Sequence, residues 1–377
     1  MTITFNLAAF AEAARALAAI PSASMRIDIL DCALAEAGGG KLALTMSNMD
    51  VEATVTIPAE GEGRAAIPRA VMNFFTRRDG MAGGDTGSLE FDGRRVVARH
   101  GKGKLAIGML PADDFPRFVR SEPAWSFPIR AHEFCAALAG CERAIADQET
   151  RPYLCGVFLH RLDDGLGFVA TDGHRLHKLA TDLPEIAGKL ATESGMPGVI
   201  VPDLAVARIQ KLFAGDESEI RVAGTDSHLV VEADRIRFAS KLIDGVYPDY
   251  QRAIPEPGEA RIRLDAKALD AALDGLMVIP RTDGKGKAVS QRPVRIGPGD
   301  GDEILLEMAG DNGDCTDRVP AKVEGSFQPF IVAANFLRDL IASCGGGEMD
   351  LAPVHSAVRI FAKPEASDWV VMQRTKL

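Results

Sequence analysis

Hydrophobic and polar positions along the chain follow one recurring pattern. A short apolar run is followed at once by a stretch with apolar residues every three or four positions, and then by alternating segments. The short runs begin at Ile3-Thr4-Phe5, Ala65-Ala66-Ile67, Phe127-Pro128-Ile129, Val199-Ile200-Val201, Ile262-Arg263-Leu264 and Phe330-Ile331-Val332. Their separations cluster at about 60–70 residues, longer than the common solenoid periods, so six units fill the chain.

The stretch after each run has the 3.6-residue period of an amphipathic helix. Leu7, Phe10, Ala14 and Leu17 form one stripe, Phe134, Leu138, Cys141 and Ile145 another, and Leu269, Leu273 and Leu276 a third. Asn6 and Asp265 precede their helices as N-caps, because their side-chain oxygens can accept the orphan amides of the first turn. The alternating segments read as strands. Leu89 to Arg99 is a hairpin turning at Asp92-Gly93. One helix per several strands, repeated, predicts an α+β fold rather than alternating βαβ units.

The units pair. Pro- and charge-rich joints fall at Arg120-Ser-Glu-Pro-Ala and Ile254-Pro-Glu-Pro-Gly-Glu, each just before an odd-numbered unit. Three similar domains are therefore expected, 1–122, 123–253 and 254–377, each with two strand-helix-strands units. A three-domain chain with chance similarity is the plainer alternative.

If each helix buries one stripe, its opposite stripe meets a polar surrounding. Arg69, Asn73 and Arg77 lie opposite Val71 and Phe75, and Arg208 and Lys211 opposite Val206, Ile209 and Phe213. Arg15, Arg143 and Arg338 also point away from their stripes. The fifth helix has only Lys267 against Asp270 and Asp274, although the loop from Arg281 to Arg292 is basic. For any one arginine an ordinary solvated face explains this; recurrence in five of six units favours a shared role.

The net charge of −10 argues against a broad basic surface, so contact with an acidic partner must be local or geometric. Six scattered cysteines, with no CxxC pair or metal-ligand spacing, suit a reducing cytoplasm and no metal. Glu12 and Arg15 interrupt the first apolar stretch, which reads as an amphipathic helix rather than a signal peptide. No run approaches a membrane span, and a soluble cytoplasmic protein without a cofactor is expected.

Helices about 10 Å across, six side by side, would enclose an opening of about 9 Å; twelve would leave about 28 Å. Only the larger opening clears a nucleic-acid duplex. If the helices line a hole, the ring needs two copies of the chain.

Several blocks resemble one family. Arg151-Pro-Tyr-Leu-Cys-Gly-Val-Phe-Leu159 and Val169-Ala-Thr-Asp-Gly-His-Arg-Leu176 are similar to the central domain of the bacterial DNA polymerase III beta subunit, the beta sliding clamp. Phe238 to Arg252, Leu110-Pro-Ala-Asp-Asp-Phe-Pro116 and Trp369-Val-Val-Met372 match the same family. The resemblance implies a DNA clamp fold of three similar domains, closed head to tail as a dimeric ring with helices lining the hole. Such a ring is a processivity factor without a catalytic site. It encircles double-stranded DNA without reading sequence, and it tethers the polymerase catalytic subunit, the clamp loader and repair proteins through short linear motifs.

Carried over by position, the motif pocket would be lined by Leu154, Thr171, Gly173, His174, Arg175, Leu176, Pro248, Val370 and Met372, with Arg151, Tyr153 and Arg252 in an adjoining subsite. The DNA-facing set becomes Arg15, Arg69, Arg77, Arg143, Gln148, Arg208, Lys211 and Arg338. The homodimer seam is expected between Lys102, Lys104 and Leu105 on an edge strand and Leu276, Met277, Asp314 and Asp317, with Asp311 nearby; opposite charges at the two ends suit a heterologous contact that closes. The sequence departs from the family in its tail, Gln373-Arg-Thr-Lys-Leu377, and at Pro152, Asp203 and Ala253.

Two rivals stand beside this reading. Asp172 with His174, or Ser240 with Lys241, could be an enzyme's acid-base or nucleophile pair, although Thr-Asp-Gly-His is equally a hairpin turn and no hydrolase, zincin or P-loop motif is present. A non-enzymatic protein-binding scaffold of the same fold, without DNA encirclement, is the other.

Overall fold

A computed structural model describes residues 2–20, 27–118, 121–147, 150–190, 197–282, 285–289, 291–354, 356–362 and 367–372. Among these, six α-helices occur: α1 (Leu7–Leu17), α2 (Arg69–Thr76), α3 (Ala131–Glu142), α4 (Asp203–Phe213), α5 (Ala266–Leu276) and α6 (Ala334–Cys344). Each follows a strand without a break, and those strands are Thr2–Asn6, Gly63–Pro68, Trp125–Arg130, Gly198–Pro202, Arg261–Asp265 and Phe330–Ala333. All six apolar runs read from the sequence are therefore strands that lead into helices.

The chain divides into two compact units. One comprises Met1–Cys135, Glu185–Leu190 and Ala207–Leu242; the other comprises Ala136–Pro184, Ala191–Val206 and Ile243–Leu377. Segment 123–253 contributes to both. Among the described residues, all strands of the first unit join one 13-stranded sheet, and those of the second one 12-stranded sheet. Every pairing is antiparallel, as expected when strands follow one another through short turns.

In the first unit α1 and α2 bury Leu7, Phe10, Leu17, Val71 and Phe75 on the sheet. The Phe5 and Phe10 rings stack at 4.5 Å, and Phe75 meets Phe5 edge-on at 5.1 Å. Each such ring contributes about 1.5–3 kcal/mol by burial, and each aromatic pair about 0.5–1.5 more. Asn6 Oδ1 accepts the Ala9 amide at 3.0 Å. In the second unit Asp265 Oδ1 accepts that of Ala268 at 2.8 Å, so both N-caps are present. The Asp92-Gly93 turn is also found: Asp92 Oδ1 takes the amides of Arg94 and Arg95, and Gly93 has φ +94°.

One helix is shorter than its periodicity implied. α3 ends at Glu142, and the Ala144 amide turns back to the Cys141 carbonyl. Ile145, partly buried, and Arg143 lie past its end.

Candidate partner-binding site and helix faces

The second unit builds a compact site around the hairpin turn Thr171–Arg175. Gly173 takes φ +86°, a left-handed conformation glycine adopts without the Cβ penalty. Asp172 Oδ1 accepts the amides of His174 (2.8 Å) and Arg175 (3.0 Å), and Thr171 Oγ1 accepts that of Gly173 at 3.1 Å. The Asp172 carboxylate therefore ties the turn rather than facing His174 as an acid-base partner.

The C-terminal strand Asp368–Met372 runs antiparallel beside the Arg175–Asp182 strand, pairing Val370 with Leu176 and Trp369 with His177. The Met372 amide donates to the His174 carbonyl at 2.9 Å. Residues almost 200 positions apart in sequence thus meet at one turn. Beneath them Leu154, Leu176 and Val370 join one cluster with Phe158, Val169, Ile200, Tyr247 and Tyr250. Tyr247 stacks on Phe158 at 4.6 Å, and the Tyr250 hydroxyl donates to His160 Nε2 at 3.0 Å. Tyr153 packs over Gly245, where a Cβ would come within 3.1 Å of its own.

The expected pocket residues divide into two groups. Leu154, Leu176 and Val370 are no more than 4% exposed; they form a sealed floor. The accessible rim consists of Arg151, Gly173, His174, Pro248, Arg252 and Met372, the last 38% exposed. Thr171 and Tyr153 are partly buried between the two. Arg252 stands in solvent, paired among the described residues only to Asp249 at 2.9 Å.

Arg175 is held by its own chain. Its Nε donates to Asp172 at 3.0 Å and its Nη1 to Asp339 at 2.5 Å, and its guanidinium lies 4.5 Å from the Phe336 ring centre. It braces the turn against α6. Phe336 was not singled out in the sequence, because periodicity assigns it only to a helix and carries no sign of the hairpin it meets.

Two histidines support this region from inside. The His177 Nδ1–H donates to the Gly140 carbonyl at 2.9 Å, and its ring meets Trp369 edge-on at 4.8 Å. Burial pushes both His177 and His160 down to about 4, against an ordinary value of 6.5. Beside them Asp368 receives Lys178 at 2.9 Å and Arg359 Nη2 at 2.5 Å. Burial pushes the Asp368 carboxyl up, but the bonds and charges of Lys178 and Arg359 outweigh it and hold it below the ordinary carboxylate value.

The basic helix faces are less free than the sequence suggests. Arg15 pairs with Asp79 at 2.6 Å, Arg69 with Asp31 at 2.8 Å and Arg143 with Asp339 at 3.0 Å. Arg338 sits between Asp270 (2.8 Å) and Asp274 (2.7 Å). Arg77 and Lys211 are exposed and have no ion pair among the described residues. Arg208 is partly buried, with its Nε unbonded. Gln148 lies outside the described residues.

The seam residues are also located. Strand Gly103–Gly108 is an edge of its sheet, pairing only with Arg95–His100 among the described residues, and it carries Lys104 exposed and Leu105 partly buried; Lys102 is exposed in the preceding turn. In strand Gly313–Glu324, residues 313–320 pair with a neighbour on one side only among the described residues, leaving exposed Asp314 and Asp317 along the free edge. Leu276 is 1% exposed in its own core and cannot reach a partner. Helical spacing put it on the buried stripe; Met277 is partly buried, and the exposed apolar residue is Val278, at 77%.

Neither rival catalytic pair is assembled. Ser240 is buried and donates to the Lys241 carbonyl at 2.7 Å, while Lys241 Nζ pairs with Asp50 at 3.0 Å. No cluster of three metal-ligating side chains occurs among the described residues, and no helix there is long and apolar enough to cross a membrane.

Six strand-led helices on two extended antiparallel sheets define a clamp-fold protein. Comparison with known proteins agrees. Residues 129–249 match the family of the DNA polymerase III beta subunit, central domain. The beta sliding clamp of Caulobacter vibrioides is 28% identical over 364 residues, covering 92% of this chain and 90% of that one; that of Escherichia coli K12 is 26% identical over 275 residues, covering 72% and 73%. Among solved structures, the Bartonella birtlesii sliding clamp bound to griselimycin superposes with a TM-score of 0.86 at 23% identity, covering both chains fully. A ligand-bound Pseudomonas aeruginosa clamp gives 0.88 at 20%, again over both whole chains. The chain is thus similar to beta sliding clamps along its length, and its segment 129–249 matches the central domain of that family.

Proposed function

We infer that this chain is a DNA sliding clamp: a processivity factor that encircles duplex DNA and tethers a DNA polymerase. The observation that carries the reading is the six-fold strand-helix pattern, which matches clamp relatives along the whole chain. It acts by topology. A ring holds DNA without gripping it, which fits a net charge of −10 and arginines already paired with carboxylates. Surface ion pairs of this kind contribute only about 0–1 kcal/mol each, so passing phosphates can exchange with them.

The proposed domains are 1–122, 123–253 and 254–377. Two copies close head to tail, the free edge of Gly103–Gly108 meeting that of residues 313–320, with Lys102 and Lys104 facing Asp314 and Asp317. Strand addition of this kind covers edges that would otherwise invite aggregation. Arg77, Arg208 and Lys211 lead the DNA-facing set, with Arg15, Arg69, Arg143 and Arg338 in second place because they are paired.

Partner motifs dock on the turn at Gly173 and His174, against Met372, Pro248, Arg151 and Arg252. Met372 supplies an adaptable apolar contact, and burying two large apolar partner side chains there contributes about 1.5–3 kcal/mol each. That implies binding nearer micromolar than nanomolar, so polymerase, clamp loader and repair proteins can exchange in the cytoplasm. The clamp itself performs no chemistry. Met372→Ala, which leaves buried Val370 and Val371 in the sheet, is expected to weaken stimulation of the cognate polymerase in primer extension while sparing the dimer in sedimentation. Undiminished stimulation would remove Met372 from the docking site.

A further inference from the structure

The first unit contains a turn built like the one at Gly173. In the hairpin between strands Lys41–Ser47 and Val51–Glu60, Asn48 Oδ1 accepts the amides of Asp50 (3.1 Å) and Val51 (2.8 Å), as Asp172 does for His174 and Arg175. Ser47 Oγ accepts the Met49 amide at 3.2 Å, as Thr171 does for Gly173. Met49 has φ +73°, the one positive value among described residues other than glycine. A left-handed methionine costs conformational energy that glycine avoids. Here it is held by the same bonds, and its side chain is 45% exposed.

The correspondence continues around the turn. Strand Ile236–Lys241 lies beside Val51–Glu60 as Asp368–Met372 lies beside Arg175–Asp182, and the Lys241 amide donates to the Asp50 carbonyl at 3.0 Å, the counterpart of Met372 to His174. An isolated bridge between Ala66 and Leu110 mirrors that between Ile200 and Ile243. The loop that follows carries Phe115-Pro116 where the other carries Tyr247-Pro248; both aromatics are buried. These equivalent parts enclose a groove of about 200 Å³ lined by Ser47, Met49, Pro116, Arg117, Phe118, His228 and Lys241.

We propose that this groove is a second docking site for an extended peptide that carries one bulky apolar side chain next to a carboxylate. Its volume is below the roughly 300–1,000 Å³ of small-molecule sites and suits a single side-chain anchor. Met49 and the Phe118 and His228 rings, which meet edge-on at 5.4 Å, supply the apolar walls. The charge is basic: among the described residues Lys241 pairs only with exposed Asp50, a surface contact worth little that an incoming carboxylate can replace. The floor differs from the other site. Where that one has Leu176, this one has buried Glu52, which binds the Phe118 amide at 3.1 Å and Arg117 at 3.3 Å and so fixes the loop that forms one wall. The two sites therefore select different peptides. The proposal rests on the reading that the turn at Gly173 takes linear motifs, and the test separates the two.

The full-length chain, labelled with 13C at its methionine methyls, is titrated with the peptide Ac-Gly-Asp-Leu-Phe-Gly-amide, with Met49 reporting on this groove and Met372 on the other site. The expected result is a saturable Met49 shift with a midpoint on the order of 0.1–1 mM. It should weaken at least threefold in Lys241→Glu and for the Asn analogue of the peptide, and vanish in Phe118→Ala, with Met372 unaffected by either substitution. Lys241 is solvent-exposed, so its variant tests the groove without threatening the fold. A Met49 methyl that stays still while Met372 saturates overturns the second site and leaves the first intact. Movement of Met49 alone upholds the groove as a site that selects its own peptide; stillness of both overturns the groove. A Met49 shift that depends on protein concentration without peptide would mean the groove takes a second copy, and would overturn the peptide assignment.

Discussion

Acidification below about pH 6.5 should loosen the second unit through His160 and His177. Each ring is neutral and buried: His160 donates from Nδ1 to the Arg161 carbonyl at 3.0 Å and accepts from Tyr250 at Nε2, and His177 Nε2 has no partner. Their values of about 4 lie below the unfolded 6.5. The unfolded chain therefore binds more protons between those limits, and stability falls as pH drops from about 6.5 toward 4. Linkage puts the loss between pH 7 and pH 5 at about 2 kcal/mol for each histidine and about 4 for both. Urea unfolding at fixed ionic strength, read from Trp369 fluorescence, should show that loss. The His160→Gln, His177→Gln double variant, although less stable at pH 7, should lose less than about 1 kcal/mol over the same range. A double variant with the wild-type pH slope would refute the assignment, as would either ring titrating near 6.5 by NMR.

Three other perturbations address separate parts of the account. Asp368→Asn leaves Lys178 and Arg359 partly buried without their shared carboxylate, and should cost about 2–4 kcal/mol, seen as faster amide exchange in residues 368–372. Because the folded carboxyl lies below its ordinary value, its contribution is present above about pH 4 and lost as pH falls through the lowered value. Lys104→Glu should weaken the dimer in sedimentation, and Asp317→Lys in the same chain should restore it; failure of the swap would separate these two edges. Asp270→Asn with Asp274→Asn frees Arg338, and should strengthen binding to short duplex DNA while steepening its salt dependence by about one unit.

The repeat was readable because each unit must bury one helix stripe on one sheet, which imposes its period on the residues. Asn6 and Asp265 were readable as caps because capping is local. Side-chain pairing across distant segments was not. The partners of Arg15, Arg143, Arg175 and Arg338 lie 64 to 196 positions away in most cases, and nothing in a helical wheel shows that Asp79, Asp339 or Asp270 will cancel their charge. The same limit hid the sealing of Leu154, Leu176 and Val370 by Tyr247 and Tyr250. Leu276 shows the converse error, since an apolar residue on a helix stripe belongs first to its own core. The likeness between the turns at Met49 and Gly173 is carried by side-chain hydrogen bonds on unlike residues, so the letters alone conceal it.

Topological enclosure of DNA is the claim on which the rest depends, and loading onto a nicked circular plasmid followed by cutting tests it most directly. With a clamp loader and ATP, the chain should co-elute with the intact circle in gel filtration, and a single restriction cut should release it within minutes. Retention on the linear product would mean a groove binder. Absence from the circle, with a loader that loads a known clamp under the same conditions, would contradict encirclement.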